Sequence, residues 1–302
     1  MRSTSYAIPA VIIVVVMWGF SYVAARMVLS TVTPIILATV RFLIASLIFI
    51  PIIVREFSRG NFPKARNLLE YAFLGLLGIS TYYVLQYTGV KYAGAGISAL
   101  LVVGLIPVLT GLSSAFLNKE GYGRWQIVGT LLGLLGVTLI TLPGLFVDKI
   151  DWLFYIGVVC LLLNAVCWAA YSTLSRRLMK KTGKPLITTS YVIVLGALFL
   201  LPLSASSDWG SMKYLQPQQW LSILYLAIGC SCVGYFLWNY SLSKMDAVKV
   251  TVWVYLEPVV AFVGEALIFA TIPTVTTLLG GVAIIAGALV TNWSEILKEV
   301  SG

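Results

Sequence analysis

The sequence predicts an all-α integral membrane protein with ten transmembrane helices. Of its 302 residues, 60% are hydrophobic and only 10% are charged, and the mean hydropathy is +0.97, whereas a soluble protein needs about 25% charged residues. Apolar runs of about 20 residues, the length that crosses the lipid core as a helix, recur along the chain. Basic residues concentrate in alternate segments between these runs, as they do in multi-pass proteins.

Ten apolar runs are bounded by charged residues, glycine or proline. The first follows Arg2 and resembles a signal peptide, but its length and the nine runs behind it indicate a retained helix. Ten helices use about 200 residues, which leaves no room for a globular domain. The expected helices cover residues 8–29, 34–54, 68–88, 94–117, 125–142, 152–174, 186–203, 220–242, 248–270 and 274–293.

Lysine and arginine counts predict the orientation, because cytoplasmic loops carry an excess of these residues. With the N-terminus inside, 15 of the 20 basic residues fall in inner segments, four fall in outer segments, and Arg41 lies within the second span. Both termini are therefore expected in the cytoplasm of the cell. Because topology explains the net charge of +9, no nucleic-acid partner is expected.

The two halves of the chain echo each other at separations of 150 to 153 residues. The matched pairs are Trp18 and Trp168, Arg26 and Arg176, Tyr82 and Tyr235, Gln86 and Asn239, Tyr87 and Tyr240, Lys91 and Lys244, Pro107 and Pro258, Gly129 and Gly280, and Gly136 and Gly287. Each half holds five spans, and an odd number makes the second half enter the membrane from the opposite side. We therefore predict two inverted five-helix repeats, residues 1–146 and 147–302.

Loose motifs in both halves carry a family resemblance. They are Trp18-Gly19-Phe20, Arg41-Phe42, the stretch from Pro107 to Glu120, Glu257-Pro258, and the glycines of the fifth and tenth spans. Over its whole length the chain resembles the drug/metabolite transporter superfamily, specifically its EamA-type members. The resemblance implies export or exchange of small metabolites, such as amino acids, without ATP. The chain departs from a symmetric pattern at Glu120, because the corresponding residue of the second half is Thr271.

Several kinds of chemistry are not expected from this composition. Histidine is absent, and the four cysteines all lie inside apolar runs, where they act as small apolar residues. No phosphate-binding glycine loop is present, which argues against ATP-driven pumping. The sequence therefore predicts a protein that is not an enzyme and that uses neither a metal nor a cofactor.

Aromatic and polar side chains at helical spacing predict a substrate cavity. Residues four apart share a helix face, and amides or hydroxyls without partners are costly in lipid, so these faces should point inward. Aromatic planes with a few amides suit a small amphipathic solute. The alternatives are core packing for the rings and interhelical hydrogen bonds for the amides. The candidate binding residues are Trp18, Tyr22, Tyr82, Gln86, Asn164, Trp168, Tyr171, Tyr235, Asn239 and Glu257.

Two acids lie within the ninth span, where carboxylates are expensive and therefore candidates for function. Burial favours the neutral form of a carboxyl, so Glu257 or Glu265 could exchange protons and couple transport to a proton gradient. Glu257 is the better candidate because it lies near mid-depth, where it could also bind the ammonium of an amino acid. A structural salt bridge with Arg41 is the alternative, and Arg41 itself is interpreted as a structural partner of carbonyls or of an acid.

Prolines near the middle of the fourth and ninth spans are the candidate hinges. Proline cannot donate a helix hydrogen bond and kinks the helix, and Pro107 and Pro258 are repeat partners. Their alternative role is a purely structural kink.

The sequence thus predicts a secondary transporter, an exporter or exchanger of a small organic metabolite, that works by alternating access around a midplane cavity. An amino acid or a related amphipathic compound is the favoured substrate. An integral-membrane enzyme acting on lipid and a facilitative channel remain the alternatives. The expected partners are the metabolite, membrane lipid and, in a coupled mechanism, protons. A monomer or a weak dimer in the cell membrane is expected.

Overall fold

The computed structural model describes residues 6–121, 123–141, 152–269 and 274–300, with all their side chains except those of residues 94–96, 265, 268–269 and 294–300. Regular structure throughout these segments is helical, which confirms the predicted all-α class. Ten helices are long and apolar enough to cross a membrane. They are α1 (Ala7–Leu29), α2 (Pro34–Ser58), α3 (Ala65–Ala93), α4 (Ala99–Leu117), α5 (Arg124–Thr141), α6 (Trp152–Thr182), α7 (Pro185–Ser204), α8 (Pro217–Lys244), α9 (Ala247–Gly264) and α10 (Val275–Trp293).

The predicted number of spans is confirmed, whereas several of the boundaries differ. Helix α3 begins at Ala65 rather than 68, and α6 continues to Thr182 rather than ending at 174. The helix of α10 likewise continues to Val300 rather than ending at 293, whereas that of α9 reaches Phe269, close to the expected end at 270. Hydropathy indicates where the apolar stretch of a helix ends. The backbone hydrogen bonds of the helix can continue beyond that point, into water. In α6 the last turn carries Lys180 and Lys181, whose charges favour the C-terminal end of a helix.

Proline and glycine mark several of the helix ends. Pro34, Pro185 and Pro217 lie at the first positions of α2, α7 and α8, where their missing N–H groups have no intrahelical acceptor in any case. Gly60 and Gly183 follow α2 and α6 with φ of 75° and 63°. This left-handed backbone, which terminates a helix, is accessible to glycine without strain.

Glycines bring α5 and α10 into direct backbone contact. A Cβ added at Gly280 would lie 2.7 Å from the carbonyl oxygen of Gly136, and one added at Gly287 would lie 2.5 Å from that of Gly129. The earlier glycine of α10 therefore contacts the later glycine of α5, and the later one contacts the earlier one. The two helices run antiparallel. The small-residue spacing of these spans is therefore a close-packing surface.

The remaining helices pack in pairs that correspond between the two halves. Helix α1 contacts α8 and α9, whereas α6 contacts α3 and α4. Helix α2 packs on α7, and α5 on α10. If each helix is exchanged for the helix five places along, the two contacts of α1 become the two contacts of α6. The contacts of α2 with α7 and of α5 with α10 are unchanged by the exchange.

Within the described spans, four segments depart from α-helical geometry, and they too occupy corresponding positions. Two lie in α3 and α8. The other two lie in α4 and α9 and end four residues before Pro107 and two residues before Pro258. They are the π-helical Leu76–Thr81, Tyr225–Gly234 and Ala99–Val103 and the 3-10 helix Val252–Leu256. A proline ring clashes with the carbonyl four residues earlier, which accounts for the altered turn before each proline. Such departures from α geometry often occur at functional positions.

The outward surface of the bundle is apolar. Phe116 is 84% exposed and Leu267 is 76% exposed, and many other large aliphatic side chains are also exposed. An apolar surface of this extent suits contact with lipid rather than water. The protein is therefore a multi-pass membrane protein.

Candidate functional site

A cavity of about 90 Å³ lies where seven helices meet: α1, α2, α3, α4, α6, α8 and α9. Aromatic side chains are the largest group in its wall, four polar or charged side chains face it, and aliphatic residues complete it. The lining residues are Trp18, Tyr22, Tyr82, Tyr83, Tyr87, Trp168 and Tyr235; Ser21, Arg41, Gln86 and Glu257; and Ala25, Val102, Val103, Ile106 and Val254.

The aromatic wall joins equivalent residues of the two halves. The rings of Trp18 and Trp168 are 5.3 Å apart and nearly perpendicular, at 77°, which is a favourable edge-to-face arrangement. Trp18 also lies 5.8 Å from Tyr235, and Trp168 lies 4.9 Å from Tyr82. Because Trp18 corresponds to Trp168 and Tyr82 to Tyr235, these last two contacts are counterparts of each other.

Hydrogen bonds to the π-helical segments fix the rings in place. The indole Nε1 of Trp18 donates to the carbonyl of Cys230, at 3.0 Å. The hydroxyl of Tyr235 donates to the carbonyl of Gly78, at 2.8 Å. Cys230 lies in the π-helical segment of α8, and Gly78 in that of α3. Buried polar groups need such partners, so the irregular turns help to position the cavity wall.

Two buried charges of opposite sign line the cavity. Glu257, which is 6% exposed, accepts a hydrogen bond from the hydroxyl of Tyr22, at 3.2 Å. Arg41, which is 5% exposed, donates from Nε to Ser231, at 2.6 Å, and its guanidinium lies 5.2 Å from the ring centre of Tyr83. A salt bridge between Glu257 and Arg41 was the alternative interpretation from the sequence, and no ion pair joins the two residues among the described contacts.

The structure brings seven of the ten candidate binding residues to the cavity wall. They are Trp18, Tyr22, Tyr82, Gln86, Trp168, Tyr235 and Glu257.

The other three candidates lie in the packed core behind the wall. Asn164 donates to the carbonyl of Tyr82, at 2.6 Å. The amide of Asn239 donates to the hydroxyl of Tyr171, at 3.1 Å, and to that of Thr189, at 2.9 Å. Helical spacing indicates which face points inward, but not which part of that face reaches the cavity.

Sequence reasoning did not include Arg41, Tyr83, Tyr87 and Ser21 among the binding residues. A charged residue in the middle of a span is itself a functional signal, and it could have placed Arg41 in the site. Tyr83 and Tyr87 are four apart and adjoin Tyr82 in α3. Successive residues are rotated by about 100° on a helix, so one broad face of α3 presents all three tyrosines to the cavity.

The remaining predicted residues fall in the surroundings of the site. Pro107 is buried in α4, and Pro258 is partly buried directly after Glu257. The side chain of Glu265, the second coupling candidate, lies outside the described residues.

A second cluster of buried charges joins the end of α6 to the loops next to it. The Oε1 atom of Glu120 accepts hydrogen bonds from Arg176 and Lys180, each at 2.9 Å, and its Oε2 atom accepts one from the backbone N–H of Ala247, at 3.0 Å. Arg176 also contacts the carboxylate of Asp246, at 3.4 Å. The Glu120 side chain is 3% exposed, so the network neutralises a buried acid with basic side chains that belong to the same network.

A larger, open cleft of about 580 Å³ lies beside the start of α5 and includes Arg124, Trp125, Asp246 and Lys249. It shares no lining residue with the central cavity. The central cavity, which holds buried charged side chains, is the better candidate site.

Several proteins resemble this chain along most of its length. One is the uncharacterized transporter YyaM of Bacillus subtilis, 28% identical over 90% of this chain and 88% of that protein. Another, named "Probable terminal-alkyne amino-acid exporter", comes from Streptantibioticus cattleyicolor and is 28% identical over 95% and 94%. A third, from Salmonella typhimurium, is named "Probable amino-acid metabolite efflux pump" and is 26% identical over 91% of each chain.

The fold is shared with a solved crystal structure that is 21% identical in sequence. The TM-score is 0.77, and the match covers 96% of this chain and 97% of the other. The model of the EamA-like transporter family matches the sequence twice, at residues 5–142 and 155–293. These two matches account for nearly all of the sequence, and the protein therefore belongs to the EamA-like transporter family.

Proposed function

We propose that this protein is a secondary transporter that exports or exchanges a small organic metabolite by alternating access, and that the metabolite is an amino acid or a related amphipathic compound. The observation that carries the proposal is the central cavity, whose aromatic wall includes equivalent residues of the two halves. Rings bind the apolar part of such a solute, and the charged groups orient its polar part. The names of the Streptantibioticus and Salmonella relatives support this substrate class.

Alternating access requires two related states, which an inverted repeat provides. The two matches of one family model support a division into residues 1–146 and 147–302. The antiparallel contact of α5 with α10, in which Gly129 meets Gly287 and Gly136 meets Gly280, supports an inverted relation between the halves. The altered turns before Pro107 and Pro258 are the proposed hinges, since they are repeat partners at the ends of the segments that border the cavity.

Glu257 is the proposed site of proton coupling. A carboxylate that holds a proton cannot at the same time hold an ammonium group, so substrate leaving in one direction would exchange for protons moving in the other. A monomer or a weak dimer in the cell membrane is the proposed transporting unit.

Counterflow in proteoliposomes tests the proposed function. Vesicles are loaded with a mixture of the twenty unlabelled L-amino acids, and the entry of each labelled amino acid is followed. A transporter gives entry that depends on the protein and is accelerated by solute inside. Flux without acceleration by internal solute would indicate a channel, and absence of flux for amino acids, amines and organic acids alike would overturn the proposal.

A further inference from the structure

Arg41 lacks the partners that a buried arginine usually has. Among the described residues its one hydrogen bond runs from Nε to Ser231, and the rings of Phe42 and Tyr83 lie 5.2 Å from the guanidinium carbon. The two Nη groups donate to no described residue, although the side chain is 5% exposed and lines the cavity. Such a pair of parallel donors matches the two oxygens of a carboxylate.

Glu257, in α9, has the opposite charge and likewise lacks a full set of hydrogen-bond partners. Its Oε2 atom accepts from the Tyr22 hydroxyl, and its Oε1 atom accepts from no described residue. It too is buried and lines the cavity. A carboxylate in this position provides acceptors for the three N–H donors of an ammonium group.

Two buried residues of opposite charge share the cavity without pairing, and this arrangement restricts which charges a bound solute can carry. Burying either charge is costly unless it is compensated. A solute with a single charge would compensate one of the two residues and leave the other residue buried without an opposite charge. A solute with both charges compensates both residues and satisfies the free donors and acceptors together.

We propose that Arg41 and Glu257 determine the charge specificity of this cavity: Arg41 binds the carboxylate of a zwitterion and Glu257 binds its ammonium. This inference rests on the proposed function and narrows its substrate to zwitterions. The aromatic wall, with Trp18, Trp168 and Tyr82, surrounds the apolar part of the solute.

Thermal stabilisation of the purified protein tests the assignment with three probes that differ only in charge. The twenty L-amino acids are screened first. The best stabiliser is then compared with its carboxamide, which is only a cation, and with the carboxylic acid that lacks its amino group, which is only an anion. Loss of a charge-assisted contact should weaken binding by about tenfold to a hundredfold, so both relatives should bind the wild type weakly.

Two variants should change the preference in opposite ways. Arg41→Gln should lose the preference for the amino acid over its carboxamide, and Glu257→Gln should lose the preference for the amino acid over the acid without an amino group. A purely structural role would weaken all three probes alike. Arg41→Lys, which keeps the charge but not the paired donors, serves if Arg41→Gln does not fold, and it should bind the amino acid more weakly with its charge preference kept. Arg66→Gln, at an exposed position, is the matched control and should bind as the wild type does.

The proposal is overturned if no amino acid stabilises the wild type, if the carboxamide or the acid binds as tightly as the amino acid, or if both variants lose all three probes equally. Counterflow separates this failure from failure of the proposed function. If the vesicles exchange amines or neutral solutes but no zwitterion, the protein is still a transporter. The zwitterion specificity assigned to Arg41 and Glu257 is then wrong.

Discussion

The charges at the end of α6 and the charges around the central cavity differ in how they are paired. Glu120 meets Arg176, Lys180 and the backbone of Ala247, so that each of its oxygens has a partner. Arg41 and Glu257 are buried to a similar degree, but they do not pair with each other and keep free donors and acceptors. A network that is complete in itself supports structure, whereas charges left open in a cavity are available to a solute.

The amides Gln86 and Asn239 show the same contrast at equivalent positions of the two halves. Asn239 is fully buried and donates to Tyr171 and Thr189. Gln86 lines the cavity, and its side chain has no described hydrogen-bond partner. Sequence correspondence therefore does not imply an equal role, and substitutions at these positions test the difference.

The largest effect on stability is expected for Glu120→Ala. Removing Glu120 from this network leaves Arg176 with only the longer contact to Asp246, at 3.4 Å, and costs about 3–5 kcal/mol. Glu70→Ala is the matched control, because Glu70 meets Arg66 and Lys181 at the exposed surface, where an ion pair contributes about 0–1 kcal/mol. Unfolding in mixed detergent micelles measures both variants, and equal losses would remove the distinction between the two sites.

An intermediate effect is expected at the contact of α5 with α10. Gly280→Ala places a Cβ 2.7 Å from the carbonyl oxygen of Gly136, so the helices must separate, at a cost of about 1–3 kcal/mol. In Gly281→Ala the nearest atoms lie 3.9 Å away, on Val259, and this neighbouring variant should be neutral or slightly more stable. Thermal unfolding of the two variants side by side provides the measurement, and similar melting temperatures would contradict the packing described.

The two amides should respond in opposite ways to replacement by leucine. Asn239→Leu leaves Tyr171 and Thr189 without partners and should cost about 1–3 kcal/mol of stability. Gln86→Leu removes no described hydrogen bond, so stability should change little while counterflow of amino acids falls. Melting temperature and counterflow are measured on both proteins, and a stable Asn239 variant with a destabilised Gln86 variant would reverse the assignment.

The smallest change in stability is expected for Glu257→Gln, because glutamine can still accept from Tyr22. Its effect should appear in coupling instead: a pH gradient should accelerate amino-acid counterflow by the wild type and leave the residual flux of the variant unchanged. Fluxes with and without the gradient provide the measurement. A variant that still responds to the gradient would exclude Glu257 as the coupling site.

Much of the fold could be predicted from the sequence because lipid imposes a simple constraint on it. Apolar length and the positions of basic residues were sufficient to count ten spans. The boundaries were harder, as in α6, because a helix continues into water once its apolar part is complete. The turns before Pro107 and Pro258 followed from the chemistry of proline, but the choice of π geometry in one and 3-10 geometry in the other depends on packing that no local pattern encodes.

Site residues could be predicted from the sequence where their position along a helix was enough to identify them. Trp18 and Trp168 were recognised from helical spacing and from their correspondence between the two halves. Gln86 and Asn239 could not be separated, because equal positions in the two repeats face unequal neighbours. Arg41 was interpreted as a structural partner, since its unpaired donors become visible only when the residues around it are placed.

Alternating access around the central cavity is tested most directly by the accessibility of a single cysteine. After the four native cysteines are replaced, Ser21→Cys places a thiol at the cavity wall, and a membrane-impermeant thiol reagent is applied to either face of oriented vesicles. We predict labelling from both faces, with amino acid changing the ratio of the two rates, whereas the exposed control Ser58→Cys should be labelled from one face only. Labelling of the cavity position from a single face, unchanged by any solute, would contradict the account.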